Sequence, residues 1–191
     1  MSCYYTENAK SFLKDTLEVD MSEYYTCFLE KVPKGGMILD AGCGSGRDSL
    51  AFKMMGYPVM AMDACAESCQ FAGEYIGQSV FYCRFQEMDF KFTFDGIWAA
   101  ASLLHVTSLE LPTVLRRCAY HLKRNGAFYA SFKYGDFEGE RDGRFFLDLT
   151  EERAEGFFLE AGFVVEKIWV TSDPITGCGE EKWLNILVTK P

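Results

Sequence analysis

Apolar runs and amphipathic stretches alternate along most of this chain. Short apolar runs between turn residues are typical of buried strands, and apolar residues three and four apart are typical of surface helices. Runs of the first kind lie at 37–40, 58–63, 81–85, 127–132, 163–171 and 182–190, with a longer one at 94–105. Helical stretches lie at 48–55, 66–76, 110–122 and 150–161. This regular alternation predicts a doubly wound α/β sheet that ends in a hairpin.

Turn residues agree with these helix ends. Gly56, Gly77 and Gly162 each follow a helical stretch, and Thr150 stands where an N-cap is expected. Two more helical stretches are predicted within residues 3–31, before the break at 33–36. Their apolar positions are Tyr4, Tyr5, Phe12 and Leu13 in the first, and Tyr24, Tyr25, Phe28 and Leu29 in the second.

Composition favours one folded domain. The chain has 191 residues, of which 49% are hydrophobic and 16% aromatic, so it can bury a full core. We expect one domain over 1–191, with an N-terminal helical part over 1–34 and the core over 35–191.

The net charge of −9 leaves no basic stripe for DNA or RNA. No signal-peptide pattern or apolar run near 18 residues is present, which predicts a cytoplasmic protein without a membrane partner.

The eight cysteines do not indicate disulfides or a metal site. Three fall in a predicted turn, strand and helix, where they act as small apolar side chains of a reduced protein: Cys43, Cys83 and Cys118. Cys65 and Cys69 are four apart, whereas a metal or redox pair wants C-x-x-C spacing or nearby histidines. We therefore expect no metal.

Residues 37–48 carry the most specific chemical signal. An apolar run ends at Asp40, and Gly42, Gly44 and Gly46 follow at alternate positions before a helix begins. Glycine accepts positive φ and lets a ligand approach the backbone, and a helix N-terminus attracts anionic groups. The pattern predicts a nucleotide-like ligand at the carboxyl edge of a parallel sheet. A dinucleotide fingerprint would place its third glycine at the position of Arg47, so NAD is disfavoured.

A second acidic residue ends the next apolar run. Asp63 lies 21 residues after Gly42, and a carboxylate there can accept both hydroxyls of a ribose. The other interpretation of Asp63 is a simple helix N-cap.

The run at 39–46 closely resembles the first motif of the class I S-adenosylmethionine (SAM)-dependent methyltransferases. The resemblance extends from Gly35 to the end of the chain. It implies a Rossmann-like, seven-stranded, mostly parallel sheet with a C-terminal antiparallel hairpin and N-terminal helices over the cofactor site. The implied cofactor is SAM, with S-adenosylhomocysteine as product. Within the superfamily, the chain is weakly similar to tellurite-resistance-type and small-molecule methyltransferases.

The resemblance also implies roles for individual residues. In that family the glycine turn passes under the methionine part of SAM, the first acid orients its cationic end, and the second acid holds the ribose. Segment 85–90 resembles the adenine-contacting turn, but the usual aspartate aligns with Phe85, which leaves Gln86 or Glu87 for the adenine amino group. The implied cofactor-binding residues are Asp40, Gly42, Cys43, Gly44, Arg47, Asp63, Ala64, Phe85, Gln86, Glu87 and Ala99.

The sequence signals for binding of the methyl acceptor are less specific than those for the cofactor. His105 ends segment 94–105 at the cofactor edge and is the candidate general base, although a structural histidine at a helix start fits as well. The glycine-rich segment 133–146 follows a strand at that same edge and is expected to cover the acceptor as a loop; a solvated connection is the alternative. Expected substrate-binding residues are Lys133, Tyr134, Arg141, Arg144 and Tyr5. In the alternative, Arg141 and Arg144 pair only with Glu138, Glu140 or Asp142.

The N-terminal tyrosines allow two interpretations. In many relatives an N-terminal helical piece folds over the cofactor, so Tyr4, Tyr5 and Tyr24 are candidates for such a cover. For Tyr5 a role in packing is equally open, and for the other two we expect packing onto the sheet.

The expected function is transfer of a methyl group from SAM to a small-molecule acceptor by in-line displacement. The alternatives are a catalytically silent SAM-binding module and an NAD-dependent oxidoreductase.

Overall fold

The computed structural model describes residues 16–141, 143–172 and 181–191. The strands are β1 (Ile38–Ala41), β2 (Val59–Asp63), β3 (Phe81–Tyr82), β4 (Phe94–Ala99), β5 (Leu122–Lys133), β6 (Glu138–Arg141), β7 (Arg144–Leu147), β8 (Val164–Ser172) and β9 (Lys182–Thr189). The α-helices are α1 (Ser22–Leu29), α2 (Arg47–Met54), α3 (Ala66–Ile76), α4 (Leu111–His121) and α5 (Glu151–Glu160). Short 3₁₀ turns occupy Phe85–Glu87 and Leu103–His105.

Within the described residues, seven strands form one sheet in the order β3-β2-β1-β4-β5-β9-β8. Strands β1 to β5 pair in parallel, and β9 is antiparallel to both β5 and β8. The predicted Rossmann-like sheet with a C-terminal antiparallel hairpin is therefore confirmed. The carboxyl ends of β1, β2, β4 and β5 share one edge, which is where such sheets bind ligands.

Two apolar clusters cover the two faces of the sheet. One packs α4 and α5 against the sheet through residues such as Leu115, Phe128 and Phe158. The other packs α1 and α2 through Phe28 and Phe52. Helix α1 lies close against β4, because a Cβ on Gly96 would come within 2.6 Å of the Phe28 ring.

Most predicted element ends agree with the structure. Gly77 ends α3 in the left-handed region, and the Thr150 side chain caps α5 by accepting the Arg153 N–H. Strand β3 is shorter than the predicted 81–85 because it is an edge strand with two paired residues. Strand β5 is longer than the predicted 127–132 and begins at Leu122, which pairs with Phe94.

The prediction of a loop over 133–146 was wrong. This segment contains an antiparallel hairpin, in which Gly139 pairs with Phe146 and Arg141 with Arg144. The three glycines suggested a loop, but Gly143 (φ +74°) serves the turn, and Phe146 and Leu147 of β7 are buried in the core. Hydrophobic burial of β7 thus outweighs the local glycine signal.

Candidate cofactor and acceptor site

The glycine turn after β1 is tied to the ends of the two neighbouring strands. The N–H groups of Gly42 and Cys43 both donate to the Met62 carbonyl of β2, at 2.8 and 2.9 Å. The Ser102 hydroxyl donates to the Ala41 carbonyl at 2.8 Å. The segment after β4 is in turn held to β5, where the Ala101 N–H donates to the Ser131 hydroxyl at 2.8 Å. Four strand ends therefore meet at one fixed edge.

The three glycines of the turn are there for different physical reasons. All have positive φ: +83° at Gly42, +53° at Gly44 and +84° at Gly46. A Cβ on Gly42 would overlap the Ser102 side chain, and one on Gly46 would press on Ile76 at 2.9 Å. A Cβ on Gly44 would meet nothing within 4 Å. Gly42 and Gly46 thus allow close packing, whereas Gly44 borders open space at the edge of the sheet.

Asp63 at the end of β2 points its carboxylate at this open position. Its Oδ2 accepts the Gly44 N–H and its Oδ1 accepts the Cys65 N–H, both at 2.9 Å. Burial raises the pKa of Asp63, and backbone hydrogen bonds from Gly44, Cys65 and Ala64 oppose that change. The N-cap position of α3 is occupied by Cys65. Asp63 therefore connects the glycine turn to the start of α3 and is more than a helix cap.

Asp40 lies beneath the turn. Its side chain is buried, and Oδ2 accepts a 2.6 Å hydrogen bond from the Ser49 hydroxyl. Burial raises the pKa of this carboxyl, and the nearby Asp48 charge raises it further. A buried acid of this kind is stabilised when a cation arrives nearby.

Asp48 is a buried polar residue that the sequence analysis missed as a site residue. Its Oδ1 accepts from the Tyr25 hydroxyl at 2.5 Å and from Arg47 Nε at 2.6 Å. Its Oδ2 accepts from Trp98 Nε1 at 2.8 Å and from Arg47 Nη2 at 3.0 Å. An acid in the first turn of a helix usually faces water or the helix dipole, so nothing local in the sequence indicated this inward position.

Arg47 connects the turn to the N-terminal part of the chain. Besides its two bonds to Asp48, it donates from Nη1 to the Thr16 carbonyl at 3.1 Å. The Thr16 hydroxyl also donates to the Ser45 hydroxyl at 3.0 Å. The chain at Thr16 thus lies against the glycine turn. Tyr4 and Tyr5 lie outside the described residues.

Tyr24 packs as the sequence analysis expected. Its hydroxyl donates to Thr171 Oγ1 at 3.2 Å, and its ring stacks on Trp169 with centroids 6.4 Å apart.

The other predicted cofactor residues lie along the same edge. Phe85 and Ala99 are buried, and Cys43 is buried within the turn. Ala64 and Glu87 are exposed, and Gln86 donates from Nε2 to Glu110 at 3.2 Å. Of the two candidates for the adenine contact, Gln86 is therefore the one that another side chain holds among the described residues.

His105 is fixed by the hairpin formed by β6 and β7. Its Nδ1 lies 2.7 Å from the Phe145 carbonyl, and its ring meets the Phe146 ring edge-on at 5.1 Å. Burial lowers the pKa of His105, and the Arg144 charge lowers it further. Ser102, three residues earlier, touches the glycine turn, so one short segment joins His105 to that turn.

Two cations of segment 133–146, Lys133 and Arg141, are held by acidic partners outside the predicted set. Arg141 forms a two-pronged pair with Asp148 at 2.6 and 3.2 Å and lies 3.8 Å from the centre of the Phe137 ring. Lys133 pairs with Glu181 at 2.5 Å. The observed partner of Arg141 is thus neither Glu138 nor Glu140, and the third alternative, Asp142, lies outside the described residues.

Glu138, Arg144 and Tyr134 make the other contacts of this segment, and Arg144 and Tyr134 belong to the predicted substrate residues. Glu138 accepts the Ser108 N–H at 2.9 Å, so the hairpin is anchored on the β4 side as well. The Arg144 guanidinium lies 5.1 Å from the centre of the Phe146 ring. A hydrogen bond to Glu151 raises the pKa of Tyr134, whose side chain is exposed. Together with the Arg141–Asp148 pair, these contacts make the hairpin a fixed cover over the segment that carries His105.

Other features of the described residues lie away from this edge. A cavity of about 360 Å³ lies at the opposite edge, between Lys31, Asp95 and Asn125. Across residues 16–141, 143–172 and 181–191, no group of three or more metal-ligating side chains was found. No helix in these ranges is long and apolar enough to span a membrane.

Residues 38–126 match the sequence model of a methyltransferase domain family. No curated protein sequence is a significant match to the chain. One similar solved structure is the 1,6-didemethyltoxoflavin-N1-methyltransferase of Burkholderia thailandensis, with bound 1,6-didemethyltoxoflavin and S-adenosylhomocysteine. It has a TM-score of 0.79 at 22% identity, over 97% of this chain and 83% of that one.

Two further structures resemble the chain. A TehB-like SAM-dependent methyltransferase from Corynebacterium glutamicum has a TM-score of 0.72 at 18% identity, over 97% of each chain. The 4+2 cyclase SpnF has a TM-score of 0.72 at 15% identity, over 95% of this chain and 92% of that one. At these identities the likeness shows the fold, and the match over residues 38–126 adds a methyltransferase domain within it. Residues 38–126 thus match a methyltransferase domain, and the fold around them is shared with solved SAM-dependent methyltransferases.

Proposed function

We propose that this protein transfers the methyl group of SAM to a small-molecule acceptor bound between the glycine turn and the β6–β7 hairpin. The observation that carries the proposal is the open position at Gly44, with the Asp63 carboxylate 2.9 Å from its N–H. A ligand there reaches bare backbone and a carboxylate at once. At Gly42 and Gly46 neighbouring side chains occupy the space that a Cβ would take, so a ligand can approach the backbone of the turn at Gly44.

The side chains at this edge suit the two ends of SAM. The Asp63 carboxylate is an acceptor-only group with spare lone pairs, which suits the two hydroxyls of a ribose. Asp40, raised in pKa by burial, favours the arrival of a cationic amino-acid end. Gln86 lies on the 3₁₀ turn after β3, where it can meet the adenine.

When bound, SAM would supply a sulfonium methyl group that the nucleophilic atom of the acceptor attacks, with S-adenosylhomocysteine as the leaving group. The protein must then hold the acceptor in line with that methyl group and exclude water. The hairpin provides the cover, because it is anchored at Ser108, His105 and Asp148. We assign His105 the role of general base, in which Nε2 takes a proton from an acceptor that must lose one.

A small molecule is the acceptor that the features of this chain favour. The net charge of −9 is unfavourable for a nucleic acid, and the Arg141–Asp148 pair fixes a hairpin beside this edge. The similar structure from Burkholderia thailandensis has 1,6-didemethyltoxoflavin and S-adenosylhomocysteine bound, and we propose a comparable pairing of a small molecule with the methyl donor for this chain. We also propose that residues 1–191 act as one domain, with the N-terminal part near the cofactor, in line with the Thr16–Ser45 contact.

Formation of S-adenosylhomocysteine in the presence of candidate acceptors tests this proposal. The protein would be incubated with SAM and a panel of small aromatic and heteroaromatic molecules that carry N–H or O–H groups. We expect acceptor-dependent product with the wild type and much less with His105→Gln. Because the same fold occurs in a protein described as a cyclase, SAM binding without transfer to any acceptor would favour a non-methylating role.

A further inference from the structure

The hairpin makes two kinds of contact with His105, and both affect how its ring can carry a proton. The Phe145 carbonyl accepts a hydrogen bond from Nδ1 at 2.7 Å. Arg144 and Phe146 flank Phe145 in the sequence, and the guanidinium of Arg144 and the imidazole of His105 each lie 5.1 Å from the Phe146 ring centre. The inference drawn from these contacts rests on the proposed function.

The carbonyl fixes the tautomer of the imidazole. A carbonyl only accepts hydrogen bonds, so Nδ1 must carry the proton that points at it. In the uncharged ring Nε2 then has a free lone pair. Nε2 makes no hydrogen bond to the described residues and is not among their buried unpartnered atoms, so it retains access to solvent. It is the ring atom that can accept a proton from a bound acceptor.

Arg144 acts on the charge of the same ring. Its cation opposes a second positive charge on His105, and burial opposes it too, so both lower the pKa of His105, while the Phe145 hydrogen bond raises it. Other charged groups face this region from neighbouring elements. They are Lys133 of β5, paired with Glu181; Arg141 of β6, paired with Asp148; Glu138, held by Ser108; and Glu110, held by Thr107.

We propose that Arg144 and the Phe145 carbonyl are positioning groups that keep His105 as an uncharged base with Nε2 facing the acceptor. The substrate class that follows is an acceptor whose nucleophilic atom bears a proton, as in a heteroaromatic N–H or a phenolic O–H. In the step, the acceptor N–H or O–H bond breaks and its proton moves to Nε2. The acceptor's electron pair forms the bond to the methyl carbon, and the carbon–sulfur electron pair stays on sulfur. His105 later releases the proton to solvent.

Nuclear magnetic resonance tests this without an acceptor, because the chain has two histidines and His121 serves as an internal reference. The ring C–H signals of His105, assigned with His105→Gln, would be followed against pH in the folded protein. We expect the pKa of His105 to lie below 6.5 in the wild type and to rise by at least about 0.5 in Arg144→Gln. Arg144→Lys keeps the charge and should stay near the wild type. Arg116→Gln removes an equal charge from the exposed face of α4 and should change nothing.

The nitrogen shifts of the wild-type ring provide a second test that needs no variant. At pH 7 we expect Nδ1 to carry the proton and Nε2 to be bare. A proton on Nε2, or a His105 pKa that is the same in Arg144→Gln and the wild type, would overturn the proposal. SAM binding measured by calorimetry on the same samples separates the outcomes. A wild type that does not bind SAM would contradict the proposed function. A wild type that binds SAM, together with an unchanged His105 pKa in Arg144→Gln, would contradict only the role of Arg144.

Once an acceptor is known, the pH profile of kcat/KM gives a third readout. The acid limb should move to higher pH in Arg144→Gln by the same amount as the His105 pKa. Arg116→Gln should leave that limb in place. An acid limb that stays where it is in Arg144→Gln would contradict the assignment of the base.

Discussion

The cofactor side and the acceptor side of this edge are built in different ways. On the cofactor side, Asp40, the glycine turn and Asp63 lie within 24 residues of sequence, and most of their contacts are backbone hydrogen bonds between adjacent strand ends. On the acceptor side, His105 is held by Phe145, forty residues away, and Ser108 by Glu138, thirty residues away. The first side is a local motif, and the second exists only after a hairpin folds back over the segment that follows β4.

Because of this difference, the two sides should be sensitive to different kinds of substitution. The glycine turn depends on the absence of side chains, so it should be damaged by any added atom at the wrong position. The acceptor side depends on pairs of side chains, so it should be damaged by removing one partner. The variants below test this contrast, from the largest expected effect to the smallest.

Gly42→Ala should give the largest loss of stability. The new Cβ would overlap Ser102, and φ of +83° strains any L-residue, so we expect a loss of about 2–5 kcal/mol in the free energy of unfolding. Urea denaturation measures it. Gly44→Ala is the matched control, because its Cβ meets nothing within 4 Å, and it should cost about 1 kcal/mol. Equal losses in the two variants would mean that the turn is not packed against Ser102 as described.

Asp63→Ala should weaken SAM binding by at least about tenfold, because it removes charge-assisted hydrogen bonds worth about 1.5–3 kcal/mol each before compensation. Calorimetric titration of the folded variant gives the affinity. Asp95→Ala removes an acid that accepts the Met37 N–H at the opposite edge of the sheet, so it controls for loss of stability. If both variants bind SAM like the wild type, Asp63 only supports the start of α3.

Arg141→Ala should loosen the hairpin. Asp148 loses its bidentate partner, but Arg141 is about a third exposed, so we expect a loss of about 1 kcal/mol in stability. Limited proteolysis should then cut within 137–147 faster than in the wild type, while SAM affinity stays unchanged. The exposed pair of Arg116 and Glu160, 3.9 Å apart, supplies the control variant Arg116→Ala. Protection of the hairpin in Arg141→Ala would show that the Phe145 and Ser108 contacts suffice to hold it.

Asp40→Asn should change the pH dependence of stability. The pKa of Asp40 is raised in the folded protein, so this group's contribution is fully present below about pH 4, the usual range of an aspartate, and is lost as the pH rises through the folded value. An asparagine does not ionise and can still accept from Ser49. Without SAM, the wild type should lose up to about 1.4 kcal/mol per pH unit relative to the variant over this range. Parallel stability curves would show that Asp40 is ionised in both states.

The same contrast explains how much the sequence predicted. The sheet, the glycine turn and the position of Asp63 follow from local patterns, because each apolar run and each turn residue acts over a few positions. The hairpin did not follow, because the glycines of 133–146 signal a loop locally, and burial of Phe146 becomes visible only with its pairing to Gly139. Asp48 was missed for a similar reason: its donors Tyr25 and Trp98 lie 23 and 50 residues away in sequence.

The most direct test of the account is a calorimetric titration of three proteins with SAM and with NAD: the wild type, Gly44→Val and Gly56→Val. Gly44 and Gly56 both have positive φ and open space at the Cβ position, but Gly56 follows the end of α2, away from the turn. We expect micromolar SAM binding by the wild type and by Gly56→Val, and no measurable SAM binding by a folded Gly44→Val, whose side chain blocks the approach to the backbone. Tighter binding of NAD than of SAM, or unchanged SAM binding by Gly44→Val, would contradict the central claim that this turn binds the methyl donor.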